Sequence, residues 1–227
     1  MANSSSPTLR RTHWVDNLLS EANRALQVLA GVAHAQRPNP ADSVPAASAS
    51  TAPPSELSAA ERDHAARLMR VNHVGEICAQ ALYRGQASLA REGHTRQLLE
   101  QAAQEEVDHL AWLNQRLREL NGRPSLLNPL WYAGSFVMGA AAARAGTPWN
   151  LGFMAETERQ VGEHLDSHLQ KLPANDQRSR EIVQQMRLDE AGHQRQAEQA
   201  GGQELPAPVK LAMRGMAKVM TTTAHWI

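Results

Sequence analysis

The chain has 227 residues, with 23 basic and 23 acidic side chains and a single cysteine. The balanced charge gives no indication of a nucleic-acid partner, and one cysteine excludes a disulfide within the chain. Alanine is abundant, and residues that favour helices, such as Leu, Met, Glu, Gln and Arg, fill most of the remainder. Because no run of alternating β-branched residues indicates a strand, we predict an all-α protein that does not bind nucleic acid.

The first part of the chain is predicted to lie outside the main domain. Apolar residues recur at helical spacing over residues 12–30 and predict an amphipathic helix, which either contacts a membrane or partner or packs on the main domain. No signal peptide is expected, because Asp16 and Glu21 fall where its apolar segment would lie. Residues 35–57 are rich in Ala, Pro and Ser, which is typical of a flexible linker. The predicted organisation is an appendage (1–34), a linker (35–57) and a main domain (58–227).

Five helices are predicted in the main domain from apolar spacing and from the stops that Gly and Pro impose. Ser58 and Glu61 have the spacing of a capping box, and Gly93 is predicted to end the helix that they begin. The predicted ranges are 58–92, 94–121, 148–171, 174–200 and 209–222.

Four of these helices carry glutamates and histidines in one repeated pattern. The pattern is Glu, then Glu-x-x-His, then again Glu and Glu-x-x-His, and positions i and i+3 of a helix share a face. Four helices that direct these groups inward would hold two metal ions, as in ferritin-like bundles. The candidate ligands are Glu76, Glu106, His109, Glu158, Glu190 and His193.

The spacing between the two halves supports this selection. Glu106 and Glu190 are 84 positions apart, as are His109 and His193. We therefore predict two pseudo-symmetric helical hairpins, which the long segment 122–147 joins as a crossover. A third Glu-x-x-His element, which begins at Glu61, has no counterpart in the second half and is predicted to be a solvated pair.

Some neighbours of the ligands have less certain roles. Glu156 and Glu158 lie about 200° apart around a helix, so only one of them faces inward, and the repeat favours Glu158. Glu105 and Asp189, each beside a ligand glutamate, are expected to be solvated or to orient a ligand histidine. Cys78 is expected to be a core thiol, and Tyr83 either borders the site or packs in the core. Three further histidines either are structural or take part in proton transfer or substrate contact: His73, His164 and His168.

The donor set indicates which metal the site would bind. Four ionised carboxylates carry four negative charges, which two divalent cations cancel. Oxygen-rich ligation with two imidazoles suits iron or manganese, and the absence of thiolate ligands argues against structural zinc. Iron is preferred because it permits oxygen chemistry.

The crossover and the last helix suggest contact with a membrane. Residues 130–143 are apolar but too short to span a bilayer, so they form either a buried helix or an interfacial helix with Trp131 and Tyr132 at the headgroups. Lys210, Arg214 and Lys218 form a basic stripe beside methionines, which either lies on an anionic membrane or caps the bundle.

Several of these motifs resemble one known family. RVNHVGE, the two Glu-x-x-His elements, the apolar crossover and the ending TTTAHWI are similar to those of the demethoxyubiquinone hydroxylases, over about residues 57–227. The N-terminal helix and linker resemble the longer bacterial form. The stretch AETERQ is less like the family's usual Glu-Glu, which leaves Glu158 the weakest assignment.

The resemblance implies a di-iron monooxygenase of ubiquinone biosynthesis that hydroxylates the ring of a polyprenyl methoxy-methyl-benzoquinol. It implies two iron ions, O2 and an external reductant, with Glu106 and Glu190 bridging the irons. It also implies a peripheral location on the cytoplasmic face of the cell membrane, and it leaves open a homo-oligomer and contacts with other ubiquinone-biosynthesis proteins. The alternatives are a ferritin-like ferroxidase or iron store and a metal-free membrane adaptor that binds quinones.

Overall fold

A computed structural model describes residues 14–32, 34–44 and 57–227. Over these ranges the chain forms α-helices, one short 3-10 helix and no strand, so the predicted all-α class is confirmed. The predicted helix bounds agree with the structure to within about one helical turn. The helices are α1 (Trp14–Leu29), α2 (Ala59–Leu89), α3 (Gly93–Glu119), α4 (Asn128–Arg144), α5 (Thr147–Lys171), α6 (Gln177–Gln199) and α7 (Ala207–Trp226).

The main domain is the predicted ferritin-like bundle of two hairpins. Short loops join α2 to α3 and α5 to α6, and the two helices of each pair pack along each other. The crossover helix α4 lies along α2, and α7 packs against α2 and α5. Among the described helices, none combines the length and the apolar character needed to cross a membrane.

Two apolar clusters occupy the bundle on either side of its centre. On α2 one cluster includes Met69 and the other includes Tyr83, with Glu76 between them. On α6 the same order is seen, with Met186 in the first cluster and Ala197 in the second. The polar centre is therefore enclosed along the bundle axis by packed hydrophobic side chains, which strengthen electrostatic interactions there.

The start of α2 confirms one prediction, and the end of this helix corrects another. The hydroxyl of Ser58 accepts a hydrogen bond from the Glu61 backbone N–H at 3.3 Å, and the Ser58 N–H donates to the Glu61 carboxylate at 2.8 Å. Gly93 does not end this helix as predicted. The backbone already becomes extended at Ala90, and Gly93 begins α3.

The Glu-x-x-His element at the start of α2 takes no part in the polar centre. His64 is exposed, and its Nε2 lies 3.0 Å from the Lys171 carbonyl oxygen. The prediction that this element lies outside the metal site is confirmed, but the expected pair is not seen, since Glu61 caps α2 through Ser58 and His64 contacts Lys171.

Helix α4 approaches α2 unusually closely at two glycines. A Cβ built on Gly85 would overlap the Phe136 carbonyl, and one on Gly139 would overlap the Leu82 carbonyl. Glycine removes the Cβ that would keep two backbones apart. The crossover helix is therefore bound tightly along one side.

The opposite side of α4 is exposed and apolar, with Leu130 65% and Val137 67% exposed. Tyr132 does not lie there, and its predicted place at lipid headgroups is wrong. It is 7% exposed and belongs to an apolar cluster with Val28 and Leu110, because its position on α4 faces α2 and α1. Trp131 is half-buried against α2 and α7.

The described N-terminal residues contact the bundle. Helix α1 packs against α2 and α4, and Glu21 pairs with Arg84 of α2. Residues 34–44, which fall largely within the predicted linker, contain a 3-10 helix (Pro40–Ser43) whose Ala41 carbonyl accepts a hydrogen bond from Arg178 at 2.7 Å. This part of the predicted flexible or partly extended linker therefore contacts α6. Residues 1–13 and 45–56 lie outside the described ranges, and the domain boundaries stay a prediction.

Candidate metal centre

The bundle brings all six candidate ligands to one buried place. One ligand atom from each of four residues lies within 4.8 Å of the others, in two overlapping groups. The groups share Glu106 and Glu190, and each adds one further glutamate and one histidine. They are Glu76, Glu106, His109 and Glu190, and Glu106, Glu158, Glu190 and His193.

Both histidines direct the same ring nitrogen to the centre. Nδ1 of His109 lies 2.9 Å from a Glu106 oxygen and 3.3 Å from a Glu190 oxygen. Nδ1 of His193 lies 3.4 Å from oxygens of both Glu158 and Glu190. This nitrogen is therefore the one available to a metal, and Nε2 faces away.

The outward nitrogens are held by carboxylates of the opposite hairpin. Nε2 of His109 on α3 lies 2.9 Å from Asp189 of α6, and Nε2 of His193 on α6 lies 2.7 Å from Glu105 of α3. Of the two predicted roles, solvation or contact with a histidine, the structure shows the contact for both Glu105 and Asp189. Such partners fix the tautomer and the ring orientation of a ligating imidazole.

The protonation of the centre reflects its crowding. Burial and the charges of Glu190 and Glu76 raise the pKa of Glu106, and burial together with Glu190 raises the pKa of Glu158. Although burial opposes it, hydrogen bonds from both histidines lower the pKa of Glu190. Protons held on Glu106 and Glu158 reduce the repulsion that cations would otherwise relieve.

The donor set fits two cations. Each of the four glutamates has one buried oxygen that lacks a well-formed hydrogen bond to a described residue, although that of Glu190 lies 3.3 Å from Nδ1 of His109. A buried carboxylate oxygen without a donor is costly, and a bound cation would satisfy it. Four such oxygens, four carboxylate charges and two inward imidazole nitrogens suit two divalent ions with a preference for oxygen and nitrogen ligands.

Glu156 and Glu158 have different environments. Glu158 is 1% exposed, and one of its oxygens accepts a hydrogen bond from the Tyr83 hydroxyl at 2.5 Å. Glu156 turns away from the centre and accepts hydrogen bonds from Arg159 at 2.6 and 2.8 Å and from Gln160 at 2.7 Å. The structure therefore places Glu158 in the centre, and Tyr83 borders it.

A cavity of about 440 Å³ leads to the centre from one side. It lies between α2, α4, α5 and α7, reaches Glu76 and is lined mainly by apolar side chains. In the sequence, the apolar crossover and the methionine face of the last helix were the features that indicated an apolar site. The sequence could not show that these two helices line the same cavity. Its large apolar lining residues include Leu82, Trp131, Met138, Phe153, Met213, Met216 and Met220.

Cys78 and the other histidines take less direct positions. Cys78 is half-buried, lines the cavity and packs beside Val71 and Val74, and burial raises the pKa of its thiol to about 11. His164 also lines the cavity, with its ring centroid 4.0 Å from that of His168. His73 is fully buried, and burial lowers its pKa to about 4.

Comparison with known proteins agrees with this geometry. The family model described as ubiquinone biosynthesis protein COQ7 matches residues 63–224. A 3-demethoxyubiquinol 3-hydroxylase of Bordetella parapertussis is 61% identical over 226 residues, which cover 100% of this chain and 99% of that protein. Proteins of the same name are 63% identical in Bordetella avium, over 93% of this chain and 94% of theirs, and 60% identical in Ralstonia pickettii, over 94% and 100%. The chain therefore belongs to the COQ7 family of ubiquinone biosynthesis proteins.

Proposed function

We propose that this chain is an oxygen-dependent di-iron monooxygenase that hydroxylates the ring of a polyprenyl methoxy-methyl-benzoquinol. The observation that carries the proposal is the pair of buried ligand groups that share Glu106 and Glu190. The name of its relatives, 3-demethoxyubiquinol 3-hydroxylase, supports the same substrate class. Two electrons would come from an external reductant.

The six central residues would hold the irons. Glu76 and His109 would serve one ion and Glu158 and His193 the other, and Glu106 and Glu190, which belong to both groups, would contribute to each. Bound iron would supply the activation of O2, which protein side chains alone do not provide. The chain contributes four anionic carboxylates that balance the charge of two divalent ions, and Asp189 and Glu105 keep both imidazoles aligned.

The cavity is the proposed quinol site. Because it reaches Glu76, a ring placed at its inner end would lie beside the metal centre. Its apolar walls would exclude water from the ring and pack against the isoprenoid tail. The tail would leave between α4 and α7, which form part of the wall.

We also propose a peripheral position on the cytoplasmic face of the cell membrane. The substrate is a lipid, and the exposed sides of α4 and α7 present large apolar residues near the cavity, among them Leu130, Val137 and Val219. Arg214 and Lys218 on α7 would add attraction to anionic lipids. The cytoplasmic side is proposed because the reaction consumes reducing equivalents, which that compartment supplies.

The test is direct hydroxylation by the purified chain. After iron is counted, the protein is given a short-chain demethoxyubiquinol, a chemical reductant and ¹⁸O₂, and the product is weighed by mass spectrometry. We expect two irons per chain and a product that gains one labelled oxygen. His193→Ala should lose one of the two irons and all hydroxylated product, and Glu156→Gln should retain both irons and the product. Fe(II) oxidation without labelled product would instead identify a ferroxidase, and quinol binding without iron would identify a metal-free adaptor.

A further inference from the structure

Arg37, from the N-terminal segment, joins the group of polar side chains around the outward nitrogen of His109, and its Nη2 lies 3.5 Å from that Nε2. Its Nε donates to Asp108 at 2.7 Å, and its Nη1 lies 2.9 Å from the same Asp189 oxygen that contacts His109. One guanidinium thus ties a carboxylate of α3 to a carboxylate of α6. The planar fork of arginine suits this bridging, because its donors are fixed relative to each other.

The segment that carries Arg37 is itself fastened to α3. The backbone N–H of Gln36 donates to Asp108 at 2.6 Å, and the Trp112 indole N–H donates to the Arg37 carbonyl at 3.4 Å. The guanidinium carbon also lies 4.9 Å from the centroid of the Trp112 ring. Arg37 is therefore held from several directions.

No described arginine or lysine pairs in this way with the carboxylate on the other histidine. Glu105, which contacts His193, has a hydrogen bond from the neutral amide of Gln101 at 2.9 Å, as Asp189 has from Gln185 at 2.9 Å, so the added partner of Asp189 is Arg37. Its side chain is 32% exposed, whereas that of Asp189 is 14% exposed. The two halves of the centre are alike in their ligands but differ in what holds their histidines.

We propose that Arg37 is a positioning residue that holds Asp189 on His109 and so strengthens the metal position formed with Glu76. This inference rests on the metal centre of the proposed function and assigns a role to residues 34–44 that the pseudo-symmetry of the bundle does not require. Without the guanidinium, Asp189 keeps the hydrogen bond from Gln185 at 2.9 Å, but the oxygen that contacts His109 loses its charged partner and is held less firmly. The contact that fixes the ring and tautomer of His109 is then weakened.

The test is titration of the metal-free full-length chain with cobalt(II), followed by its visible absorption. The wild-type chain should bind two ions. In Arg37→Met we expect one dissociation constant to rise by about tenfold or more and the other to stay within about twofold, since loss of such outer contacts weakens metal binding by about 10–100-fold. Arg37→Lys retains the charge but lacks the planar guanidinium, so its dissociation constant for this ion should lie between those of the wild-type and Arg37→Met chains.

Two single-histidine backgrounds assign the effect to one position. The His193→Ala chain retains the metal position at His109. Adding Arg37→Met to it should raise the dissociation constant of the remaining ion by the same factor. In His109→Ala the added change should have no effect beyond about twofold, because Glu105 contacts His193 directly and the charge of Arg37 acts on Glu105 only as the smallest of several influences.

The matched control is Arg178→Met. Arg178 fastens the same N-terminal segment through the Ala41 carbonyl but makes no contact with Asp189. It should lower the melting temperature and leave both cobalt constants unchanged. The inference would be overturned if Arg37→Met raised both dissociation constants equally or changed neither. It would also be overturned if Arg178→Met had the same effect as Arg37→Met. A wild-type chain that bound no cobalt would contradict the metal centre itself.

Discussion

Glu156 and Glu158 show how two nearby carboxylates take different roles. Glu158 is enclosed in the centre, whereas Glu156 is neutralised by Arg159 on the same helix. We expect Glu158→Gln to lose one of two bound metal ions and to reduce quinol hydroxylation by at least about tenfold, because a neutral amide cannot balance a cation. Metal content after dialysis and single-turnover product yield would measure both effects.

Glu156→Gln is the control for that substitution. It weakens an ion pair in which the carboxylate is only 5% exposed, so it should cost about 1–3 kcal/mol of unfolding free energy, with both metal ions retained. If the two variants exchanged these outcomes, Glu156 rather than Glu158 would be the ligand.

The raised pKa values of two central glutamates indicate how the metal affinity depends on pH. Because Glu106 and Glu158 have raised pKa values, the metal-free chain retains protons there above the usual range of a glutamate. Metal binds the ionised forms, so binding should release protons and the affinity should fall as the pH falls, by about tenfold per unit for each proton released. Calorimetric titration with cobalt(II) in buffers of different ionisation enthalpy counts the protons. An enthalpy independent of the buffer at pH 7 would contradict the prediction.

At the scale of the helices, the contact between α2 and α4 depends on glycine. A methyl group at position 139 would meet the Leu82 carbonyl, which belongs to backbone and cannot rotate away. We expect Gly139→Ala to lower the free energy of unfolding by at least about 2 kcal/mol, as overpacking does. Urea unfolding measures this cost.

Gly134, on the same helix, provides the comparison. It has open space around a built Cβ, so Gly134→Ala should stabilise the chain by about 0.5–1 kcal/mol through helix propensity. If Gly139→Ala were equally harmless, α4 would not be packed on α2 as closely as described.

The helices and the six central residues were predictable because each depends on a local or repeated pattern. The equal spacing from Glu106 to Glu190 and from His109 to His193 indicated the hairpin repeat, and the structure brings these four residues together. The ligand assignment itself stays a prediction until metal is measured.

Other features depend on contacts between segments that have no fixed spacing in sequence. The burial of Tyr132 follows from the rotation of α4 about its own axis, which is set by the close approach of Gly139 to α2. Arg37 lies in a stretch whose composition indicates a linker, and only the fold brings it to Asp108 and Asp189. Long-range polar contacts of this kind leave no periodic signal.

At the scale of the whole molecule, the cavity opens beside a surface that suits a lipid. Leu130 and Val137 lie on the face of α4 opposite to Gly139, which packs against α2. Helix α7 adds three exposed apolar residues, Leu211, Met216 and Val219. A metal centre in the bundle core is thus reached through apolar walls from an apolar surface. This arrangement would let a lipid ring enter without passing through water.

The membrane contact is tested by the double variant Leu130→Glu/Val137→Glu. Two charges on this surface oppose insertion among acyl chains and repel anionic lipids, so binding to vesicles of phosphatidylcholine and phosphatidylglycerol should fall by about tenfold or more in a sedimentation assay. Leu188→Glu is the matched control, because Leu188 is also exposed, at 55%, but lies on α6. It should bind vesicles as the unchanged chain does. All three proteins should retain two metal ions, since none of the substituted residues touches the centre. Equal binding by the double variant and the control would place the membrane contact elsewhere on the molecule.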